Sequence, residues 1–350
     1  MNILRKKTIN LLVILSLLIC MLASGCSSDK DKKVSKSGFY FDTIITITLY
    51  GTDDETYIDK CFEMASNYEN KFSTTIDTSE ISKINDNAGK KYIKVSDDTI
   101  DILKAGISYC KNSQNKFDIT LGKLSELWNI SDIAKECEDD SNTVDASYLP
   151  SESEINKLKD NIDYTKILID GNKVMLKDDT CKIDLGAIAK GYIADRMKEY
   201  LNSNNITSGI INLGGNVLTI GKKADGSNYK VGIQKPFDQS GQALLSVEVS
   251  DKSVVTSGIY ERYYKVDNKI YHHILNLETG YPCENDIYSV TIISDKSVDG
   301  DALSTICFLL GADEGMKYIE TLDDIEAIYI KNDYSVVASS GIENDISYIE

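Results

Sequence analysis

The stretch Asp184–Leu201, DLGAIAKGYIADRMKEYL, sets an acid, two glycines and a lysine where a helix must begin. Asp184 closes a short strand-like run, Gly186 opens a tight turn, and Lys190-Gly191 lead into residues at helical spacing. A helix N-terminus leaves backbone N–H groups without partners and carries the positive end of the helix dipole. Lys190 lies about one turn in and can reach the same end. Phosphate chemistry is therefore one reading and a plain structural turn the other. The stretch is not a Walker loop and lacks GxGxxG.

Other stretches carry similar ambiguity. In DGDALSTICFLLG, Asp301 and Thr305 fall four apart and share one face of a helix. A carboxylate beside a hydroxyl suits a hard cation such as Mg²⁺, which takes few protein oxygens and keeps positions for phosphate and water. The alternative is helix capping by Asp299 or Asp301. In YHHILNLETGYP, His273 ends a strand beside a constrained turn, as a general base or a satisfied core residue. Gly214-Gly215 in INLGGN allow close backbone approach to a ligand, and the aromatics of SGIYERYY either pack a core or stack on one.

The whole chain narrows the choice. Its 350 residues are 42% apolar, enough for a packed core, and its net charge of −17 argues against a nucleic-acid partner. An acidic protein that binds a nucleotide needs a local cation. Only two histidines, the neighbours His272 and His273, and no CxxC exist to build a zinc site. Of the eight cysteines, Cys61, Cys110 and Cys307 sit in apolar helical patterns that predict buried thiols. The N-terminus reads as a secretory signal over residues 1–25: basic MNILRKK, an apolar run, then Ser24-Gly25-Cys26 in the manner of a lipobox. Cys26 is then the lipidation site and residues 26–37 a flexible spacer. An uncleaved membrane anchor is the alternative, and both tether the chain at the outer face of a membrane.

The elements that must position these residues follow from periodicity. Strands are predicted over Thr43–Gly51, Lys166–Asp170, Lys173–Leu176 and Lys182–Asp184, and helices over Asp54–Tyr68, Asp98–Lys111, Glu152–Lys159 and Ala187–Leu201. Ser79 or Thr78 is placed to cap a short helical turn. The second half is strand-rich, with a hairpin turning at Asp267-Asn268, then helices Asp301–Leu310 and Asp313–Glu320 split by Gly311, and a closing hairpin, Ala327–Ile330 with Ser335–Ala338. No βαβ rhythm is present. The pattern predicts an α+β fold of largely antiparallel sheets with flanking helices, in one compact catalytic domain of two lobes over 38–345.

The order of these blocks closely resembles the ApbE-type FAD:protein FMN transferases. FDTIITITLYG, FSTTIDTSEISKIN, FDITLGKLSELW, DLGAIAKGYIADR, INLGGN, VGIQKP, TSGIYERYY, YHHILNLETGYP and DALSTICFLLG carry the resemblance from about Phe39 to Tyr329. It implies a metal, Mg²⁺, on Asp301, Thr305 and the carbonyl of Ala187. It implies FAD contacts by Asp184, Lys190 and the Phe117–Thr120 region (Phe117, Asp118 and Ile119 among them), and a catalytic histidine at His273. Phe41 and Thr75 match flavin-contacting positions but depart from the family. Phe41-Asp42-Thr43 stands where MGT is frequent, Thr75 where many members carry an aromatic, and Asn276-Leu277 where DP is usual. The implied reaction passes the FMN moiety of FAD to a Ser/Thr hydroxyl of flavin-accepting redox subunits at the extracytoplasmic face of the cell membrane. Hydrolysis of FAD to FMN and AMP, or flavin binding without chemistry, are the alternatives. Family acceptors carry a DGxTGAT-like motif that this chain lacks, so self-flavinylation is not expected.

Overall fold

The computed structural model describes residues 32–137, 142–238 and 240–349. The signal segment, Cys26 and the first part of the expected spacer lie outside the described residues. In the first half, strands β1 (Lys33–Tyr40), β2 (Thr43–Tyr50), β3 (Ile93–Lys94), β4 (Ile167–Asp170) and β5 (Lys173–Leu176) alternate with helices. Those helices are α1 (Thr56–Phe72), α2 (Glu80–Asp86), α3 (Asp97–Asn112), α4 (Gly122–Trp128), α5 (Ile130–Glu136) and α6 (Glu152–Lys159). Helix α7 (Ala189–Ser203) leads into β6 (Gly209–Leu213), β7 (Asn216–Ile220), β8 (Tyr229–Gln234), β9 (Ala243–Val249) and β10 (Ser253–Gly258). The hairpin β11 (Tyr263–Val266) and β12 (Lys269–His272), strand β13 (Ile287–Ser294) and helix α8 (Ser297–Ile319) come next. Strands β14 (Glu326–Lys331), β15 (Val336–Ala338) and β16 (Ile346–Tyr348) close the chain.

An eight-stranded sheet, ordered β1-β2-β6-β7-β10-β13-β14-β15, forms the spine, and its neighbouring strands all pair antiparallel. On one face Ile45, Ile47 and Leu49 of β2 pack with Ile58, Cys61 and Ala65 of α1, Ile193 and Met197 of α7, and Ile306 and Cys307 of α8. The opposite face is partly covered by the small sheet β16-β9-β8, where Val231, Leu245 and Val247 meet Val254, Ile293 and Ile328. A separate core of Leu124, Trp128, Ile155, Tyr264 and Leu275 joins α4 and α6 to the β11–β12 hairpin. The architecture is α+β with largely antiparallel sheets, as the sequence predicts.

Three expectations need correction. The spacer placed at 26–37 is strand from Lys33 onward: Val34 is buried, and Ser35–Thr48 and Ser37–Thr46 hydroxyl pairs at 2.8 Å line the outer face of the β1–β2 ladder. The folded chain also runs past 345, because β16 pairs with β9. Lys182–Asp184 is not a strand. Lys182 makes a single parallel bridge with Leu121, and Asn85 of α2 clamps Ile183 by accepting its N–H at 2.8 Å and donating to its carbonyl at 3.0 Å.

Other local signals act as read. Ser79 caps α2 by accepting the Ser82 N–H at 2.9 Å. Asp267 and Asn268 turn the β11–β12 hairpin with φ of 49° and 66°. Gly311 breaks α8 with φ 77°, but the helix begins at Ser297, one turn before Asp301. Cys61, Cys110 and Cys307 are buried free thiols, as are Cys181 and Cys283.

The closest helix contact is α7 on α8. A Cβ on Gly191 would sit 2.3 Å from the Ser297 carbonyl oxygen. Gly191→Ala is expected to cost about 1–3 kcal/mol of stability, the range for overpacking, read as a lower denaturant midpoint. An unchanged midpoint would show that the helices do not meet there.

Candidate active site

The start of α7 is built backward from Asp184. Its N–H donates to the Ile119 carbonyl at 2.8 Å, and its Oδ1 accepts the Gly186 N–H at 2.8 Å, closing the turn that aims the helix. Ile188 is the N-cap of α7 and its carbonyl takes the first helical bond, from the Tyr192 N–H at 3.1 Å, so the Gly191 N–H is one of those a helix start leaves without an intrahelical partner. Asp301 Oδ2 accepts it at 2.9 Å. Ala187 lies just before the cap, where its carbonyl has no donor within the helix. Lys190 Nζ lies 3.6 Å from Asp301 Oδ1 and donates to the Gly186 carbonyl at 3.4 Å.

Asp301 is buried, while Thr305, one turn further along α8, is half-buried with its Oγ1 3.5 Å from the Ser257 hydroxyl of β10. Ser257 Oγ also donates to Ser304 Oγ at 2.8 Å, so β10 fixes this turn of α8. A carboxylate with one oxygen anchored, a hydroxyl and a backbone carbonyl lying just before the helix make an all-oxygen donor set, which fits Mg²⁺. Among the described residues no cluster of three or more His, Cys, Asp or Glu offers a softer metal a seat.

Sequence reasoning missed what holds α8 in place. Its N-cap residue, Lys296, provides no side-chain cap. Asp195 of α7 does so from across the helix pair, accepting the Ser297 N–H at 2.8 Å on Oδ1 and the Val298 N–H at 3.0 Å on Oδ2. Burial pushes its carboxyl up to about 6, against the pull of those two bonds. The available signal was spacing: Asp195 stands four residues after Gly191, on the same helix face.

The two histidines separate cleanly. His272 is buried, its Nε2 donating to the Cys283 carbonyl at 2.9 Å and its Nδ1 accepting the Ile274 N–H at 3.3 Å. Both nitrogens are used, and it is structural. His273 spends only Nδ1, on the Arg262 carbonyl at 3.2 Å. A carbonyl can only accept, so Nδ1 carries the proton and Nε2 is left as a free base. Desolvation, then Arg262 and His272, hold its pKa down to about 3. His273 keeps solvent access although protein crowds it on most sides, as does Glu261, and both feel the charge of Lys190. These are the marks of groups lining one concave cleft.

The remaining residues divide. Phe117 and Ile119 are core side chains, and any ligand contact there falls to the surrounding loop. Asp118 is the hub of that loop: Oδ1 accepts the Thr120 N–H and hydroxyl at 2.8 and 2.7 Å, and Oδ2 accepts the Tyr164 N–H at 2.8 Å. With both oxygens engaged inside the protein, its role is to shape the loop. Thr75 is exposed and its hydroxyl pairs with Ser73 at 3.0 Å. Phe41 and Asp42, at φ 53° and 57°, form the tight turn between β1 and β2, and the Phe41 N–H donates to Glu69 at 2.7 Å. Strand register places this turn at the same sheet end as Gly214-Gly215 and Ser257. Gly214 has no room for a side chain, since its Cβ would lie 2.2 Å from Thr43 Oγ1. The SGIYERYY aromatics pack on protein: Tyr260 and Tyr263 against Phe237 at 6.0 and 5.5 Å, Tyr264 on Tyr271 at 5.7 Å. In the 276–282 turn Asn276 Oδ1 accepts the N–H groups of Glu278 and Thr279, at 2.8 and 3.2 Å, and so stiffens the loop in place of a proline. A cavity of about 500 Å³ beside Ala312, Met316 and Lys331 lies beyond the Gly311 break, apart from all of these.

Known proteins match this arrangement over most of its length. The chain is 32% identical to an FAD:protein FMN transferase of Klebsiella pneumoniae over 85% of its own length and 88% of the relative's. It is 27% identical to one of Treponema pallidum over 96% and 95%. Its fold superposes on the ApbE protein of Thermotoga maritima with a TM-score of 0.77 at 28% identity, covering 89% of this chain and 98% of that one. The flavin transferase ApbE of Vibrio cholerae superposes with a TM-score of 0.76 at 25% identity, covering 90% and 99%. The family model for ApbE matches residues 41–329, and the chain belongs to the ApbE family.

Proposed function

We propose that this chain is an FAD:protein FMN transferase that uses Mg²⁺ and moves the FMN moiety of FAD onto a Ser or Thr hydroxyl of a flavin-accepting redox protein. The observation that carries the metal reading is the Gly191 N–H bond to Asp301, which fixes that carboxylate beside the start of α7, where the Ala187 carbonyl and, one turn along α8, Thr305 would complete a set of oxygen donors. When bound, the metal supplies charge neutralisation at the pyrophosphate and at the departing phosphate.

The chain's own residues do the rest. Lys190 and the α7 N-terminus provide fixed positive charge where negative charge develops on the phosphoryl oxygens. His273 Nε2 accepts the proton of the attacking hydroxyl. The new bond joins that oxygen to the FMN phosphorus as the bond to the bridging oxygen breaks, and AMP leaves with that oxygen. The Arg262 carbonyl holds the imidazole in the tautomer this step requires. Lipidation at Cys26 and an extracytoplasmic position belong to the same reading, supported by the basic-apolar-Ser-Gly-Cys order of the N-terminus.

Mass spectrometry of the full-length chain with FAD, Mg²⁺ and an acceptor domain bearing the threonine motif tests this. An acceptor heavier by one FMN, with AMP released, is expected. Free FMN and AMP beside an unmodified acceptor would assign hydrolysis instead. Asp301→Ala is expected to abolish transfer at low Mg²⁺ and Thr305→Ala to raise the metal concentration required; full turnover by the Asp301 variant would sink the metal assignment. His273→Ala should lower kcat by roughly 10²–10⁴-fold, the usual worth of a general base, with FAD binding retained. An unchanged kcat would place the base elsewhere.

A further inference from the structure

Asp195 is not among the metal donors or the flavin contacts, yet it joins the two helices that supply them. From α7 it takes the first two N–H groups of α8, at 2.8 and 3.0 Å. One turn earlier on the same face of α7, the Gly191 N–H reaches forward to Asp301 of α8 at 2.9 Å. The two helices are thus cross-bonded at two adjacent points, each a carboxylate of one helix on backbone N–H of the other. Between them the chains touch, because Gly191 has no side chain to hold Ser297 away. Asn216 of β7 fastens the same turn from the sheet, its Oδ1 accepting the Ser297 hydroxyl at 2.7 Å.

We propose that Asp195 is a positioning residue for the metal seat: by clamping the α8 N-terminus to α7 it fixes Asp301 against Gly191. This inference rests on the reading that Asp301 and Thr305 hold the metal. Outer-shell groups that orient a ligand are typically worth about 10- to 100-fold in metal affinity. Asp195 acts in that way through the helix end, and its charge also favours a cation nearby. The charged and titratable groups that face it are Asp299 of α8, which the Tyr109 hydroxyl of α3 holds by a hydrogen bond, and Lys198 on its own helix.

A clamp of this kind is pH-sensitive in a definite direction. Burial, with Asp299 adding to it, raises the carboxyl to about 6. The folded state therefore favours the protonated form, and the ionised clamp carries a desolvation cost that builds as pH rises from the ordinary carboxyl value of 3.8 to about 6 and is constant above it. Above that value both oxygens accept; below it one carries a proton and loses an acceptor position. Replacing Asp195 by Asn copies the protonated state at every pH.

The test titrates Mn²⁺ alone into the purified full-length chain by calorimetry. At pH 8 Asp195→Asn is expected to bind Mn²⁺ about tenfold more weakly than the unaltered chain. At pH 5 the two should converge, because Asp195 is then largely protonated and matches the Asn variant. Equal affinities at pH 8 with only a lower Tm would reduce Asp195 to a helix cap and overturn the proposal. Asp301→Ala runs in parallel: unchanged Mn²⁺ binding there would overturn the metal reading itself, and lost binding there with equal affinity in Asp195→Asn would overturn only the clamp. Hydrogen exchange on the unaltered chain guards against a variant that fails to fold. Mn²⁺ should slow exchange at Gly191, Ser297 and Val298, and no change at those amides would count against the clamp.

Discussion

The contact between α7 and α8 at Gly191 governs the rest of the site. Two helix backbones meet there at a distance that excludes even a methyl group. The approach lets a backbone N–H of one helix satisfy a buried carboxylate of the other, which would otherwise pay heavily for desolvation. That one bond has two effects. Asp301 is oriented, and Lys190 is brought beside the carboxylate. The N–H is one that a helix start leaves without an intrahelical partner, and a larger residue at 191 would have held the helices apart. The two glycines and the lysine of the Asp184–Leu201 stretch are thus parts of one device.

The other half of the cleft is supported by a different core. Trp128 donates its indole N–H to the Gly280 carbonyl at 2.8 Å and stacks on Tyr271, so α4 grips both the β11–β12 hairpin and the turn that follows it. That grip determines where β12 ends, and with it which histidine faces inward. His272 is locked between Cys283 and Ile274, edge-on to Phe308, and His273 is left at the boundary of the two cores. A base at a boundary keeps access to a reacting proton while its other nitrogen stays fixed by the Arg262 carbonyl. Ile274, the residue after His273, packs in the core shared by α7 and α8, so the position of His273 is coupled to both cores.

How far the sequence revealed this depended on how local each cause was. Strand β2, the Asp267-Asn268 turn, the Ser79 cap and the Gly311 break are set by residues within a few positions, and they were legible. Strand β1 was not, because KVSKSGFY is polar on its outer face and buries Val34 alone in its first half; pairing with β2 makes it a strand. The first turn of α8 was hidden for a similar reason. Ser297, Val298, Asp299 and Gly300 are weak helix formers, and the cap that stabilises them comes from Asp195, far away in the chain. Asp118 illustrates the reverse case. The family resemblance implies a flavin contact there, and in the structure its oxygens accept from Thr120 and Tyr164. Residue type gave the chemistry, and only packing could say which acid was free to perform it.

Charge connects these levels. A chain with a net charge of −17 has no general attraction for a nucleotide pyrophosphate, so attraction must be produced locally. Around the α8 N-terminus it gathers Asp195, Asp299 and Asp301, three more negative groups, opposed within this cluster by Lys190 and by helix-end N–H groups. Such an arrangement is costly as it stands, and burial already shifts Asp195 toward its protonated form. The same arrangement gains most from a divalent cation, which offsets the repulsion among the carboxylates and presents positive charge outward to phosphate. On the proposed reading, a metal bound here would serve the protein's electrostatics as well as the reaction, and the acidity of the chain would make the second role depend on the first.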